Sequence, residues 1–398
     1  MGALTIIALL GQSDIARADD PPPPRIGLWI ECEGARRTLD EAGRIREAVS
    51  DAAALGATDL FVQVFRNGKA WFATPLADDG PYRRARAKGY EPLAEVLRLA
   101  HARQTRVHAW VNLLRVDDGE RSRWVRALGR EAVLTDETGR SLLASGPWGA
   151  KRNAKPDTPG AWLDPASPAV TARLTALLIG LVEAYPALDG VHLDYTRYPI
   201  PIGSGQSGAD LGWSQTARAR FMVDLGAAKK GDMRRRWDSW RRDQLTAFLR
   251  SLRDALKERR PGLVLSAAVI GDPEEAMARA LQDWPAWTRE GLLDLVVPMN
   301  YSADPVRFDR VARAAVKRRA EATLLMGIGA WRFGDRVDAI AARVSLALDA
   351  GAQGAVLFSH DNLKSHPGTL RQLGDLLSAE ILKHREATVE GGASRAGD

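Results

Sequence analysis

Cysteine is nearly missing: Cys32 is the single one among 398 residues, so no disulfide can form within the chain. No glycine-rich phosphate turn follows the first strand-like segment, Gly27 to Glu33, which argues against a nucleotide-binding open sheet. No His-x-His marks that strand and no His-x-x-Glu-His type helix occurs, so the spacings that bring several imidazoles to one metal are absent. The N-terminal apolar run, Ala3 to Leu10, falls short of the roughly 20 residues of a membrane helix. Acidic residues are outnumbered, giving a net charge of +6, but the arginines are scattered over helix faces. The Arg234-Arg235-Arg236 and Arg241-Arg242 clusters occupy one exposed helix start and read as a solvated face, so no nucleic-acid partner is expected. An anionic polymer remains compatible with that surface.

What is present is a large globular core, with 45% hydrophobic and 27% charged residues. Strand patterns run over Gly27–Glu33, Asp59–Phe65, Arg106–Asn112, Gly190–Asp194, Leu263–Ile270, Leu293–Asn300, Thr323–Gly329 and Gly354–Ser359. Helical patterns separate them at Leu39–Leu55, Leu93–Arg103, Ala169–Tyr185, Arg236–Arg259, Glu274–Glu290, Val306–Ala320 and Arg336–Ala350. Apolar strands alternating with helices imply a parallel sheet covered by helices, and eight units suit a closed α/β (β/α)8 TIM barrel. Long loops after strands 3 and 4, Leu114–Leu163 and Ile200–Asp232, hold the excess length and emerge at the catalytic end of such a barrel.

The ends read differently. Residues 1–18 read as a signal peptide, because an apolar run precedes Ala16-Arg17-Ala18, and the protein is expected to be exported to the periplasm or beyond. Residues 19–25 form a proline-rich lead-in expected to be disordered, the barrel spans 26–384, and the small, polar stretch 385–398 reads as a disordered tail.

The most informative segment is Asp189-Gly190-Val191-His192-Leu193-Asp194-Tyr195-Thr196-Arg197-Tyr198-Pro199. Strand alternation puts His192 and Asp194 on one face, and Pro199 ends the strand. A carboxylate at the C-terminal end of a barrel strand is where such folds place catalytic groups. Together with Trp162-Leu163-Asp164-Pro165, His108-Ala109-Trp110-Val111-Asn112 and Val62-Gln63-Val64 with Gly68, this segment resembles the glycosyl hydrolase-like family 10 proteins, continuously from about Ile26 to Asp361. The resemblance implies an exported bacterial β/α barrel that cleaves glycosidic bonds, one branch acting on peptidoglycan strands that lack peptides. Many members carry two adjacent acids here, whereas Asp194 is followed by Tyr195.

Glycoside hydrolysis ordinarily uses two carboxylates, one of them held protonated by its surroundings. Asp194 is the expected acid; its plain alternative is an aspartate satisfied by neighbouring donors. For the partner, Glu31 ranks first because a charge in an apolar strand needs a reason to be there, the alternative being an ion pair with Arg66. Asp272 ranks next, equally suited to capping the helix at Pro273, and Glu33, Asp304 and Asp361 are the other candidates. Gln63, Asn112 and Asn300 offer amides for sugar hydroxyls; Trp71, Trp110, Tyr301 and Trp331 offer flat faces; Arg66, His192 and Arg197 complete the expected substrate cleft. No cofactor and no metal are expected. The rivals are a metal-dependent barrel hydrolase using His108, His192 and His360, and a glycan-binding barrel without chemistry.

Overall fold

The computed structural model describes residues 22–116, 122–143, 155–156, 160–202, 211–226 and 232–395. Eight parallel strands form the centre: β1 (Arg25–Ile30), β2 (Asp59–Arg66), β3 (Arg106–Asn112), β4 (Gly190–Asp194), β5 (Val264–Ile270), β6 (Leu295–Met299), β7 (Met326–Gly329) and β8 (Gly354–Phe358). Each pairs with its neighbours in chain order and β1 pairs with both β2 and β8, so the sheet closes into a TIM barrel. The strands read as nearly continuous apolar runs because one face meets the barrel interior and the other the surrounding helices.

The interior is a packed aromatic layer of Trp29, Phe61 and Trp110 with Leu295, Val297, Leu325 and Val356. Glycine makes room for these rings: a Cβ on Gly27 would lie 2.8 Å from the Phe61 ring, and one on Gly327 3.0 Å from the Trp29 ring. At the strand N-terminal end, Asp59 is buried and binds Arg25, Arg106 and His108, which hold its carboxyl far below the usual carboxylate range against the cost of burial.

Three boundaries differ from the sequence pattern. Strand β1 stops at Ile30, so Glu31 and Glu33 lie in the following loop rather than within the strand. Beyond Ile30 the Cys32 N–H turns to the Gln63 side-chain oxygen, 3.4 Å away, instead of a strand carbonyl. The pattern over Glu274–Glu290 divides into Pro273–Ala280 and Trp284–Arg289. Leu281 takes a left-handed conformation (φ 53°), and buried Gln282 bridges the Ile270 N–H and the Thr196 carbonyl at 2.9 and 3.1 Å. The last helix runs from Thr369 to Arg395, past the boundary at residue 385, since extending an existing helix adds one hydrogen bond per residue without a new nucleus. The signal peptide assigned to residues 1–18 lies outside the described residues, as do residues 19–21 of the lead-in, while Arg25 at its end already belongs to β1.

The two loop insertions lock together. Asp164 is fully buried and accepts from the Ser214 hydroxyl of the second insertion at 2.8 Å and from the Ala166 N–H at 2.9 Å. Beside it Trp213, Trp237 and Trp240 stack, with centroids 4.5 and 5.2 Å apart, against Phe221. The Leu-Asp-Pro motif is therefore an anchor for the loops. Among the described residues no helix is long and apolar enough to cross a membrane.

Candidate active site

Asp194 closes β4, in register with Asn112 at the end of β3. Its backbone carbonyl accepts from the Leu113 N–H at 2.9 Å, which ties the two strand ends together. The carboxyl is half-buried and takes one donor on each oxygen: the Trp110 indole N–H reaches Oδ2 at 3.1 Å and the Tyr195 N–H reaches Oδ1 at 2.6 Å. Burial pushes this carboxyl above its ordinary range, and those two hydrogen bonds, with the Arg197 and Arg66 charges, offset only part of that effect. Tyr195 sits at a positive φ of 53°, a conformation uncommon outside glycine, and this turn presents its N–H to the acid.

The Tyr195 side chain packs edge-on to Trp162, and the Arg197 guanidinium lies 5.2 Å from both rings. After Asp194 this chain therefore has an aromatic–guanidinium cluster. Arg197 is buried in it and donates to the Tyr198 carbonyl at 3.1 Å, so the expected role in contacting substrate is replaced by support of the Asp194 loop.

Glu31 stands on the same inward-facing side as Trp29, just past β1. It pairs with Arg66 at 3.4 Å and accepts from the Ser359 hydroxyl at 2.9 Å, itself held by Asn362 at 3.0 Å. Glu33 is engaged by Asn67 and Lys69 at 2.6 and 3.0 Å. Asp272 and Asp304 cap helices, accepting from Glu274 N at 3.0 Å and Arg307 N at 2.8 Å, because each precedes a proline that starts a helix. Asp361 accepts from the Arg36 N–H at 2.7 Å and packs against Gly34. Of the five partner candidates, Glu31 pairs with Arg66 and its charge is felt by the mouth residue Tyr301.

Tyr301 follows β6, stacks on Phe358 at 5.9 Å, and feels the charges of Asp194 and Glu31; burial first, then Asp194, raises its hydroxyl pKa. Trp331 is 44% exposed beyond β7, with the Arg332 guanidinium 4.2 Å from its ring centroid. Asn112 accepts from Gln63 at 3.2 Å, and its own amide N–H groups have no protein partner among the described residues.

Several expected substrate contacts are instead committed within the protein. Gln63 is buried and occupied by Cys32, Arg66 and Asn112. Asn300 donates to the Phe308 carbonyl at 2.9 Å. Trp110 is 5% exposed and acts through Asp194, while Trp71 is buried with its N–H on Asp40 at 3.2 Å. His192 is fully buried a layer below Asp194: Trp29 donates to its Nε2 at 3.2 Å and its Nδ1 meets the Ser266 hydroxyl at 2.9 Å. Burial, with His108 adding to it, holds His192 well below the usual imidazole range, so it is a neutral core residue. His108, His192 and His360 have separate partners, Asp59, Trp29 with Ser266, and Asp51; among the described residues no group of three or more His, Cys, Asp and Glu side chains is placed to hold a metal.

Reasoning from sequence missed Ser359, Trp29 and the Tyr195 backbone. Trp29 alone was signalled, by sharing a strand face with Glu31.

A cavity of about 340 Å³ opens at this mouth, lined by Asp272, Asn300, Tyr301, Ser302, Arg307 and Arg332. A larger one, about 680 Å³, lies at the opposite end among Arg25, Thr58, Arg106 and Gln353, away from Asp194.

The model of the family described as glycosyl hydrolase-like 10 matches residues 26–331. The chain is 25% identical to "Glycosyl hydrolase DigH" of Escherichia coli (strain K12), covering 81% of this chain and 72% of that protein, and equally to its namesake in Shigella flexneri. Among solved structures it is similar to alpha-L-fucosidase isoenzyme 2 from Paenibacillus thiaminolyticus (TM-score 0.59, 14% identity, 91% of this chain) and spans about half of that chain, 49%. It is also similar to the catalytic domain of beta-amylase from Paenibacillus polymyxa (TM-score 0.59, 13% identity, 89% of this chain and 98% of that one). At these identities the structural likenesses show the shared barrel.

Proposed function

Since the chain belongs to the glycosyl hydrolase-like 10 family, we propose that it hydrolyses glycosidic bonds in a glycan strand, with Asp194 as the proton-donating acid. The observation that carries this reading is the position of Asp194, a half-buried carboxyl closing β4 at the C-terminal mouth of the barrel with one N–H donor on each oxygen; burial there raises its pKa. A carboxyl whose burial makes it hold its proton more tightly than usual can pass that proton to the bridging oxygen as the bond to the anomeric carbon breaks. Glu31 then supplies the second carboxylate, opposing the positive charge that develops on the sugar ring, while a water oxygen bonds to the anomeric carbon and its released proton passes to a carboxylate of the pair, so that the acid is restored. Trp331 and Tyr301 give faces for pyranose rings, and the Asn112 amide gives a donor for a hydroxyl.

The glycan we propose is peptidoglycan strand freed of its peptides, reached by export through residues 1–18. An N-terminus near Asp19 on the mature protein supports export; intact residues 1–18 on cytosolic material contradict it.

The test is reducing-end release from such strands. Asp194→Asn should lower turnover by on the order of a hundredfold or more while strand binding persists. Full activity in the variant overturns the assignment. Turnover abolished by EDTA identifies a metal hydrolase instead, and binding without any turnover by the unaltered protein identifies a glycan-binding module.

A further inference from the structure

Among the described residues, two guanidinium groups at the mouth have no acidic partner. Arg307, in the first turn of the helix Pro305–Arg318, and Arg332, next to Trp331, line the same cavity of about 340 Å³. Among the described residues neither side chain forms an ion pair. The nearby carboxylates are already engaged: Asp272 and Asp304 cap helices, and Glu275 pairs with Arg279 at 2.5 Å. The Arg332 plane lies 4.2 Å over the exposed Trp331 ring, so its position is set by stacking rather than by an anion.

This cavity opens at the C-terminal ends of β5 and β6, on the same mouth as the acid. Tyr301, one of its walls, feels the charge of Asp194. A Cβ at Gly329 would lie 3.0 Å from Trp331 Nε1 and 3.1 Å from the Tyr301 ring, so that platform and that wall are contiguous. Planar guanidinium forks match carboxylate geometry, and an aromatic face beside them suits the ring that carries it.

We infer that Arg307 and Arg332 form a carboxylate-binding subsite beside Asp194, which selects glycans bearing a carboxylate on the sugar held against Trp331. This rests on the glycosidase reading above. Two sources share the chemistry: a lactyl ether on an amino sugar and a uronic acid.

Three probes distinguish them: peptide-free peptidoglycan strands, the same strands with their carboxyls reduced to alcohols, and oligogalacturonate. Equilibrium binding and reducing-end release are measured for the unaltered protein and for Arg307→Gln/Arg332→Gln. The unaltered protein should favour carboxylated over reduced strands by about tenfold or more, and the double variant should handle the two alike. Arg307→Lys/Arg332→Lys should recover part of the preference, since charge returns without the fork. Preference for oligogalacturonate over the strands supports the subsite and identifies the uronic acid as its ligand. Undiminished preference in the double glutamine variant overturns the subsite. Equal handling of carboxylated and reduced strands by the unaltered protein, with turnover still dependent on Asp194, also overturns it but leaves the glycosidase reading standing. Absence of binding and turnover on all three probes removes both.

Discussion

The Trp110 indole N–H donates to Asp194 Oδ2 at 3.1 Å, from the strand next to the one that ends in the acid. A large interior side chain thus adjusts the acidity of a group at the mouth, against the larger effect of burial. The bond favours the charged form of Asp194, so its removal should raise the pKa further. If Asp194 donates the proton, activity is lost as pH rises through its pKa. Trp110→Phe should then move the basic limb of the pH–rate profile to higher pH and lower turnover by about tenfold. An unmoved limb would separate Trp110 from the acid's titration.

Asp194 also links stability to pH. Its folded pKa lies above its unfolded value near 3.8, so the folded state binds the proton more tightly. Stability associated with this group is present below the unfolded pKa and declines as pH rises through the folded pKa. Asp194→Asn lacks that decline. It does lose one acceptor, because both carboxyl oxygens receive N–H donors, which sets a pH-independent cost of about 1–3 kcal/mol. Urea titrations across pH 3.5 to 8 should therefore show the variant gaining on the unaltered protein as pH rises. A constant difference at every pH contradicts the raised pKa.

Glu31 is the test of the two-carboxylate reading. Glu31→Gln keeps an oxygen for the Ser359 hydroxyl and removes the charge facing Arg66. The Arg66 side chain is 31% exposed, so the pair adds little to stability, under about 1 kcal/mol. Turnover should fall about a hundredfold with the melting temperature nearly unchanged. A fall in melting temperature without loss of turnover makes Glu31 a structural ion-pair member.

His192 should behave in the opposite way. His192→Phe leaves the Trp29 indole N–H without an acceptor, takes one of the two partners of the Ser266 hydroxyl, which keeps the Val191 carbonyl, and should cost about 1–3 kcal/mol. Since its folded pKa is depressed below 6.5, stability from the neutral ring is present above pH 6.5 and is lost as pH falls, when the unfolded chain takes up a proton. The stability gap between unaltered protein and variant should narrow below pH 6.5, by about 1.4 kcal/mol per pH unit at most. A gap that stays constant from pH 7 to 5 would show that His192 titrates normally in the fold.

The barrel was legible in the chain because its cause is local. Strands buried on both faces must be apolar throughout, and the helices between them carry an apolar stripe, so β3 and β4 coincide with the patterns over Arg106–Asn112 and Gly190–Asp194. The same alternation placed Asp194 at a strand end and put it on the face of His192. Which polar groups remain available to a substrate was settled only by tertiary contacts. Gln63, Asn300, Arg197 and His192 are all polar and near strand ends, yet each is consumed by a partner that spacing along the chain does not reveal. Trp29 and His192 lie 163 positions apart and meet only because the barrel closes. A buried donor or acceptor must be paired wherever its partner comes from, so closure divided these residues between framework and cleft. The same closure brought Glu31, Tyr301 and Asp194 to one mouth from β1, β6 and β4.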